Sequence, residues 1–300
     1  MDVSSPGAPM RVGLVTDSTA QLSTAEQEEL SRAADGLFAV VPLTVLIGGV
    51  AFADGEVGAA DLCTKMAEGA EVSTSMATPA QFAEAFAELR DRGAEAIIVV
   101  TMSAELSGTR DSAVKAAESE DILISVVDSR TTSAGQAGAL AVAVAGIRQG
   151  LDVESIAGTV ADWCAGETRT VFAPSSLEHL RRGGRIGAAS SLLGRALQIV
   201  PVLGLSAGVV VPLARVRTRT KALEKIVALT ANAADEISET RDTVRVEVQQ
   251  AEGDIDDADA TMLITRLTEL GFATSFRTLS TIITAHVGPG TIGVTVQTVP

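Results

Sequence analysis

Apolar runs and polar breaks alternate along the chain in a way that predicts strands and helices in turn. Residues 11–16 form a strand-like apolar run that ends in Asp17-Ser18-Thr19, and Ser23-Thr24-Ala25-Glu26 has the form of a capping box opening a helix to about Ala34. A strand-like run over 37–47 follows, then a polar stretch, then Thr78-Pro79, whose N-cap threonine and N1 proline head a helix reaching Arg92. Residues 96–101 predict a buried strand, 107–118 a helix, 122–127 a strand ending in Asp128-Ser129, and 133–149 a helix rich in alanine and valine. This alternation implies a Rossmann-like α/β arrangement, a mostly parallel sheet with helices on both faces.

After a further helix capped by Asp152 the pattern changes near Gly166-Glu167. The expected organisation is a flexible tail over 1–10, an N-terminal α/β domain over 11–166 and a C-terminal α+β domain over 167–300. Within the second domain the pattern predicts a strand over 169–173, a Gly/Arg turn and a helix through about Gln198. Two strands around 208–217, a long helix from Arg219, a strand over 243–249, a helix over 256–270 and two final strands complete it. There is no internal repeat and no low-complexity tract.

Composition narrows the function classes. Of 300 residues 46% are apolar but only 3% aromatic, so the core is aliphatic and disorder is excluded. Cys63 and Cys164 fit no metal or disulfide spacing, and with two histidines in all there is no basis for a structural zinc site, so no metal is expected. A net charge of -15 argues against nucleic acid and against an anionic membrane surface as partners. The charge is uneven: between Arg181 and Lys225 nine basic residues face only Glu224, which makes that segment +8 within a body of -23. No basic leader opens the chain, and its longest apolar run, 137–147, is shorter than the ~20 residues of a bilayer span. A cytoplasmic protein with no integral membrane segment is the expectation.

In a parallel sheet, ligands bind beyond the carboxyl ends of the strands. Hydroxyl residues collect there: Asp17-Ser18-Thr19, Ser73-Thr74-Ser75, Thr101-Met102-Ser103 and Asp128-Ser129, with Ser107-Gly108 at a helix start. Singly each is an ordinary cap or turn residue, but together they suit an anion held by hydroxyls and helix amino termini. Three motifs compete. Gly288-Pro289-Gly290-Thr291-Ile292-Gly293 matches GxGxxG but leaves only seven residues for the required βαβ unit. Gly204-Leu205-Ser206-Ala207-Gly208 matches GxSxG, with Asp254 or Asp256 and then His286 in hydrolase order, so a serine hydrolase using Ser206 and His286 is the alternative reading. A nucleophile elbow needs a following helix, whereas Val209-Val210-Val211-Pro212 reads as a strand. No P-loop is present.

A further series runs in order through the chain: Val15-Thr16-Asp17-Ser18-Thr19, Val41-Pro42-Leu43, Asp54-Gly55, Thr74-Ser75 with Thr78-Pro79, and Leu106-Ser107-Gly108-Thr109. It continues with Val127-Asp128-Ser129, Leu180-Arg181-Arg182-Gly183-Gly184-Arg185-Ile186, Arg215-Val216-Arg217-Thr218 and His286-Val287-Gly288-Pro289-Gly290-Thr291. In these residues the sequence resembles the DegV family of bacterial fatty-acid-binding proteins over nearly its whole length. The resemblance implies a two-domain α/β protein that is not an enzyme alone and needs no cofactor. It would hold one long-chain fatty acid such as palmitate or oleate, with the carboxyl group near the domain interface. Family members serve as the acyl-carrying subunit of a fatty-acid kinase, whose separate ATP-binding subunit makes the acyl phosphate. Carried over by position, Thr74 and Ser103 would hold the carboxyl group, with Ser75, Ser107 and His286 beside it. Arg185, flanked by Arg181 and Arg182, would serve phosphoryl transfer or docking of the kinase partner. Two positions depart from the family pattern: Ala104 stands where a second serine is usual, and Val200 where a lysine is usual before Pro201.

Overall fold

The structure is a computed structural model and describes residues 10–192, 199–240, 243–253 and 256–299. The expected tail therefore lies, apart from Met10, outside the described residues. The N-terminal half runs β1 (Val12–Asp17), α1 (Thr24–Ala33), β2 (Phe38–Val41), β3 (Thr44–Ile47), β4 (Val50–Ala53), α2 (Ala59–Ala67), β5 (Val72–Ser75) and α3 (Pro79–Asp91). It continues with β6 (Ala96–Thr101), α4 (Thr109–Ala117), β7 (Leu123–Asp128), α5 (Ala134–Arg148) and α6 (Val153–Gly166). Strands β2-β1-β6-β7 form an all-parallel sheet. Every position of β1 and β6 is buried, as strands covered on both faces require. Leu14, Ile98 and Val100 pack against Leu30, Leu140 and Ile156 on one face, and Val15, Ile97 and Val99 against Phe82, Phe86 and Leu89 on the other.

The run over 37–47 is two strands, not one. Pro42 has no N–H to give to a ladder, so the chain leaves the parallel sheet there, and its carbonyl instead accepts from Gln81 Nε2 at 3.1 Å. Beyond it β3 pairs antiparallel with β4 and β5 in a separate three-stranded sheet. The stretch that reads as polar linker thus holds β4, α2 and β5, and Thr74 lies on a strand.

The C-terminal half runs β8 (Thr168–Ala173), α7 (Glu178–Arg182), β9 (Val200–Ser206), β10 (Val209–Val216), α8 (Arg219–Ile237), β11 (Val244–Gln250), α9 (Ala258–Glu269), β12 (Ala273–Thr278), α10 (Thr281–Val287) and β13 (Ile292–Thr298). Its strands form one mixed sheet in the order β10-β9-β8-β13-β11-β12. One face, with Val171, Val246 and Val294, is covered by Ile226 of α8 and Leu263 of α9. Two expectations need correcting. The helix expected through Gln198 is, in its described part, the short α7 and a 3-10 turn over Gly187–Leu192, while 193–198 lie outside the described residues. The two final strands are separated by α10, whose N-cap Ser280 accepts a hydrogen bond from Ile283 N–H at 3.2 Å.

Arg277 of β12 joins the halves. Its side chain, 11% exposed, reaches Glu247 of β11 and Glu26 of α1, and donates to the Gln21 carbonyl. Burial alone would raise the Glu26 pKa, but hydrogen bonds and charge from Arg277, with hydrogen bonds from Ser23, hold it below the ordinary 4.5. Glu26 therefore contributes stability that is complete above its ordinary pKa and is lost as pH falls through the lower folded-state value. Arg277→Ala strands Glu247, which is 15% exposed, without its cation, and is expected to cost about 3 kcal/mol in urea denaturation and to flatten the acid limb that Glu26 supplies. An unchanged midpoint would show that this cluster does not hold the halves together.

Candidate ligand-binding site

Three elements converge on the space between the halves. In β5, Thr74 stands opposite Val45 of β3. In α10, His286 sits on the last turn, and the start of that helix is fixed by Asp54, whose Oδ1 accepts from Thr281 N–H at 3.2 Å and from Thr281 Oγ1 at 2.7 Å. The turn after α7 supplies Arg185, held by its backbone N–H to the Leu180 carbonyl at 2.9 Å. Thr74 Oγ1 and His286 Nε2 are 2.7 Å apart, and Arg185 Nε donates to the Leu106 carbonyl at 2.9 Å and its terminal nitrogen to the Gly183 carbonyl. Gly183 makes room for the imidazole, since a Cβ there would lie 2.3 Å from His286 Nδ1.

These residues line a cavity of about 360 Å³. Most of its wall is apolar, with Leu43, Leu106, Phe172, Leu205 and Ile282 among the lining side chains. Burial first, and the Arg185 charge second, push the His286 pKa down to about 4, so the imidazole is neutral at pH 7. In the tautomer with the proton on Nε2, His286 donates to Thr74 Oγ1 and frees the threonine O–H to donate into the cavity. The lining thus offers the Thr74 hydroxyl and the Arg185 guanidinium, with Ser75 and Ser107 in the same wall, a set that suits a carboxylate or phosphate group.

Thr74, Ser75, Ser107, Arg185 and His286 all line this one cavity. Ser103 is not in its lining. Its fully buried hydroxyl donates to the Gly208 carbonyl at 2.9 Å and accepts from Glu105 N–H at 3.2 Å, because the tip of the β9–β10 hairpin packs directly on it. Gly208 has φ +85, and a Cβ there would lie 2.4 Å from Ser103 Oγ. Arg181 and Arg182 are also outside the lining and both pair with Glu178, at 2.7 Å. Part of the basic segment is therefore neutralised by acids from outside it, Arg219 pairing likewise with Asp259 at 2.7 Å; Arg195 lies outside the described residues. Ala104 leaves its N–H to Asp128 Oδ1 at 3.1 Å, and Val200 packs on the core under α8, where an apolar side chain is favoured.

The competing motifs do not assemble. Ser206 and Val209 are opposite residues across a two-residue turn, Ala207-Gly208, and a strand follows the serine where an elbow needs a helix. Ser206 and His286 line different cavities, and Asp254 lies outside the described residues. Gly288-Pro289-Gly290 joins α10 to β13, with no helix after it. Asp17, completely buried, accepts from Thr19 N–H at 3.0 Å and Met102 N–H at 2.7 Å, so it ties the end of β1 to the end of β6. Burial raises its pKa against those hydrogen bonds. Among the described residues there is no cluster of metal-ligating side chains and no helix long and apolar enough to cross a membrane. Sequence reasoning missed Leu279, Ile282 and Ile283 of the α10 segment and Gln249 of β11, all in the cavity wall. The apolar Ile282-Ile283 pair behind Ser280 was the available signal for α10.

A parallel α/β half and a mixed-sheet half thus close on a largely apolar cavity whose polar lining residues include Thr74, Arg185 and His286. The DegV family, described as one of uncharacterised proteins, matches residues 11–299, and the chain belongs to that family. It is 35% identical over 288 residues to a DegV domain-containing protein of Streptomyces coelicolor, covering 95% of this chain and 98% of the relative. Among solved structures it is similar to a fatty-acid-binding DegV family protein from Thermus thermophilus, 30% identical with a TM-score of 0.86, covering 97% of this chain and 100% of that one. A DegV family protein from Ruminococcus gnavus, described with vaccenic acid, is 25% identical with a TM-score of 0.77, covering 95% and 99%.

The depressed histidine gives a direct test. From pH 6.5 down to about 4 the unfolded chain takes up a proton that folded His286 refuses, so stability falls across that window and levels off below it. An NMR titration should show His286 protonating near pH 4, and His286→Asn should remove that part of the acid loss. Protonation of His286 near its ordinary pKa would mean that the ring is not held as described.

Proposed function

We propose that this protein binds a long-chain fatty acid between its halves, with the carboxylate at Thr74 beside His286 and the acyl chain along the aliphatic wall. The observation that carries the reading is the cavity itself: the Thr74 hydroxyl, the neutral His286 imidazole and the Arg185 guanidinium in a mainly apolar lining. Support comes from the fatty-acid-binding relative of Thermus thermophilus and from the Ruminococcus gnavus relative described with vaccenic acid. Ser75 and Ser107 lie in the same lining and extend the hydroxyl-rich end, while Ser103 shapes the site by holding the hairpin tip.

The finer reading is that the bound acid is presented to the ATP-binding subunit of a fatty-acid kinase for acyl-phosphate formation. On this reading the protein is a carrier and not an enzyme on its own. Arg185, the cation in the cavity lining, serves the phosphoryl group, and the exposed pair Arg181 and Arg182 serves docking.

Solvent extraction of the purified protein followed by mass spectrometry should release fatty acid, or the protein should bind added palmitate or oleate; neither result would leave the reading without a ligand. Thr74→Val removes a charge-assisted hydrogen bond worth roughly 1.5–3 kcal/mol, so oleate affinity should fall about tenfold to a hundredfold. Wild-type affinity in that variant would mean the carboxylate lies elsewhere. Arg185→Ala should retain lipid and lose acyl-phosphate formation with the kinase partner, and normal turnover would remove Arg185 from the transfer step.

A further inference from the structure

Two glycines let α7 and α10 meet more closely than larger residues would allow. A Cβ at Gly183, the residue that follows α7, would lie 2.3 Å from His286 Nδ1. A Cβ at Gly288, the residue that follows α10, would lie 2.3 Å from His179 Cδ2 and 2.8 Å from its Cγ. The contact is reciprocal: each helix ends in a glycine, and the histidine of the other helix packs on it. Gly288 has φ +82, a conformation that favours glycine, and its N–H donates to the Thr284 carbonyl at 2.8 Å, which closes the last turn of α10.

His179 and Gly183 are four positions apart and share one face of α7, and the Gly183 N–H donates to the His179 carbonyl at 2.9 Å. That face therefore meets α10 at two points, at His286 itself and at Gly288 two residues later. His179 is half-buried and lies outside the cavity lining. Burial first, and the Arg182 charge second, lower its pKa, with Glu178 opposing them, so the ring on Gly288 is mainly neutral at pH 7. The last turn of a helix is the part that frays first, and α10 has only seven residues. The 2.7 Å contact from His286 Nε2 to Thr74 Oγ1 is made from that turn.

We infer that His179 is a positioning residue of the ligand site: by packing on Gly288 it holds the last turn of α10, and with it the His286 ring at hydrogen-bond distance from Thr74. It acts through His286 and not on a ligand. The inference takes its ligand from the fatty-acid reading, while its geometry stands apart from that reading.

NMR titration of the imidazoles tests this, because the chain has two histidines and replacing His179 leaves His286 as the only one. In His179→Ala the His286 midpoint should rise from about 4 toward the ordinary 6.5, since a loosened ring regains water, and oleate affinity should fall about fivefold to tenfold. His179→Phe, which keeps a planar ring on Gly288, should restore both. His179→Gln, which has no ring, gives the same comparison if the alanine variant does not fold, with the same rise and loss expected. A His286 midpoint still near 4 without the ring overturns the inference, even where the urea midpoint falls, because His179 then only stabilises the fold. A His179→Phe variant that behaves like the ringless ones overturns it as well. If the wild-type protein binds no oleate, the fatty-acid reading fails, and the NMR midpoints still decide the role of His179.

Discussion

Asp54 reaches from the N-terminal half to the first residue of α10 and accepts from both the N–H and the hydroxyl of Thr281. The helix rises about 1.5 Å per residue, so fixing its start fixes His286 about 7.5 Å further along. The same seating places Leu279, Ile282 and Ile283 in the cavity wall. A helix of seven residues has little stability of its own, and its position comes from packing against α2, α7, β3 and β5. Burial raises the Asp54 pKa, and the hydrogen bonds from Thr281 and Ser18 oppose that rise without any cation beside them. The geometry of the polar end therefore rests on this acid-to-helix contact together with that packing.

The electrostatics of that end follow from what surrounds it. Burial removes the water that would solvate a charged imidazole, and Arg185 adds a like charge close to it, so His286 gives up its proton. The end keeps one fixed cation, with a neutral ring and a hydroxyl beside it, inside a protein that is strongly acidic as a whole. An incoming anion meets an imidazole that stays neutral between about pH 5 and 8.

Much of the parallel half was legible in the sequence, because its strands are largely apolar and two of its helices begin with capping boxes at Ser23 and Thr78. The small sheet was not, since Ser73, Thr74 and Ser75 carry hydroxyls on a strand that pairs with β3 along one edge, and period-2 apolar patterning is absent there. The helix α10 was hidden for a different reason: Thr281-Ile282-Ile283-Thr284 has strand-forming side chains, and tertiary packing overrides that preference. The site showed the same division. Thr74, Arg185 and His286 were found through an ordered motif series, but Ser103, carried over by the same resemblance, is turned away, because its neighbour in space is a hairpin tip more than a hundred positions later. Motif order identifies which segments meet; it does not determine which side of a residue faces the cavity.

Thr74 and His286 are 212 positions apart in the chain, and their contact closes the polar end. A loop of that length is entropically costly to close early, so the pair belongs among the last contacts to form when the chain folds. Each half has its own apolar core, which allows most of the structure to be in place before the two meet. The cavity is then a property of the docked halves, and anything that binds only in it adds its binding free energy to the docking itself. Opening at this seam exposes the site without unfolding either core, which gives a buried ligand a route in and out that the closed form lacks.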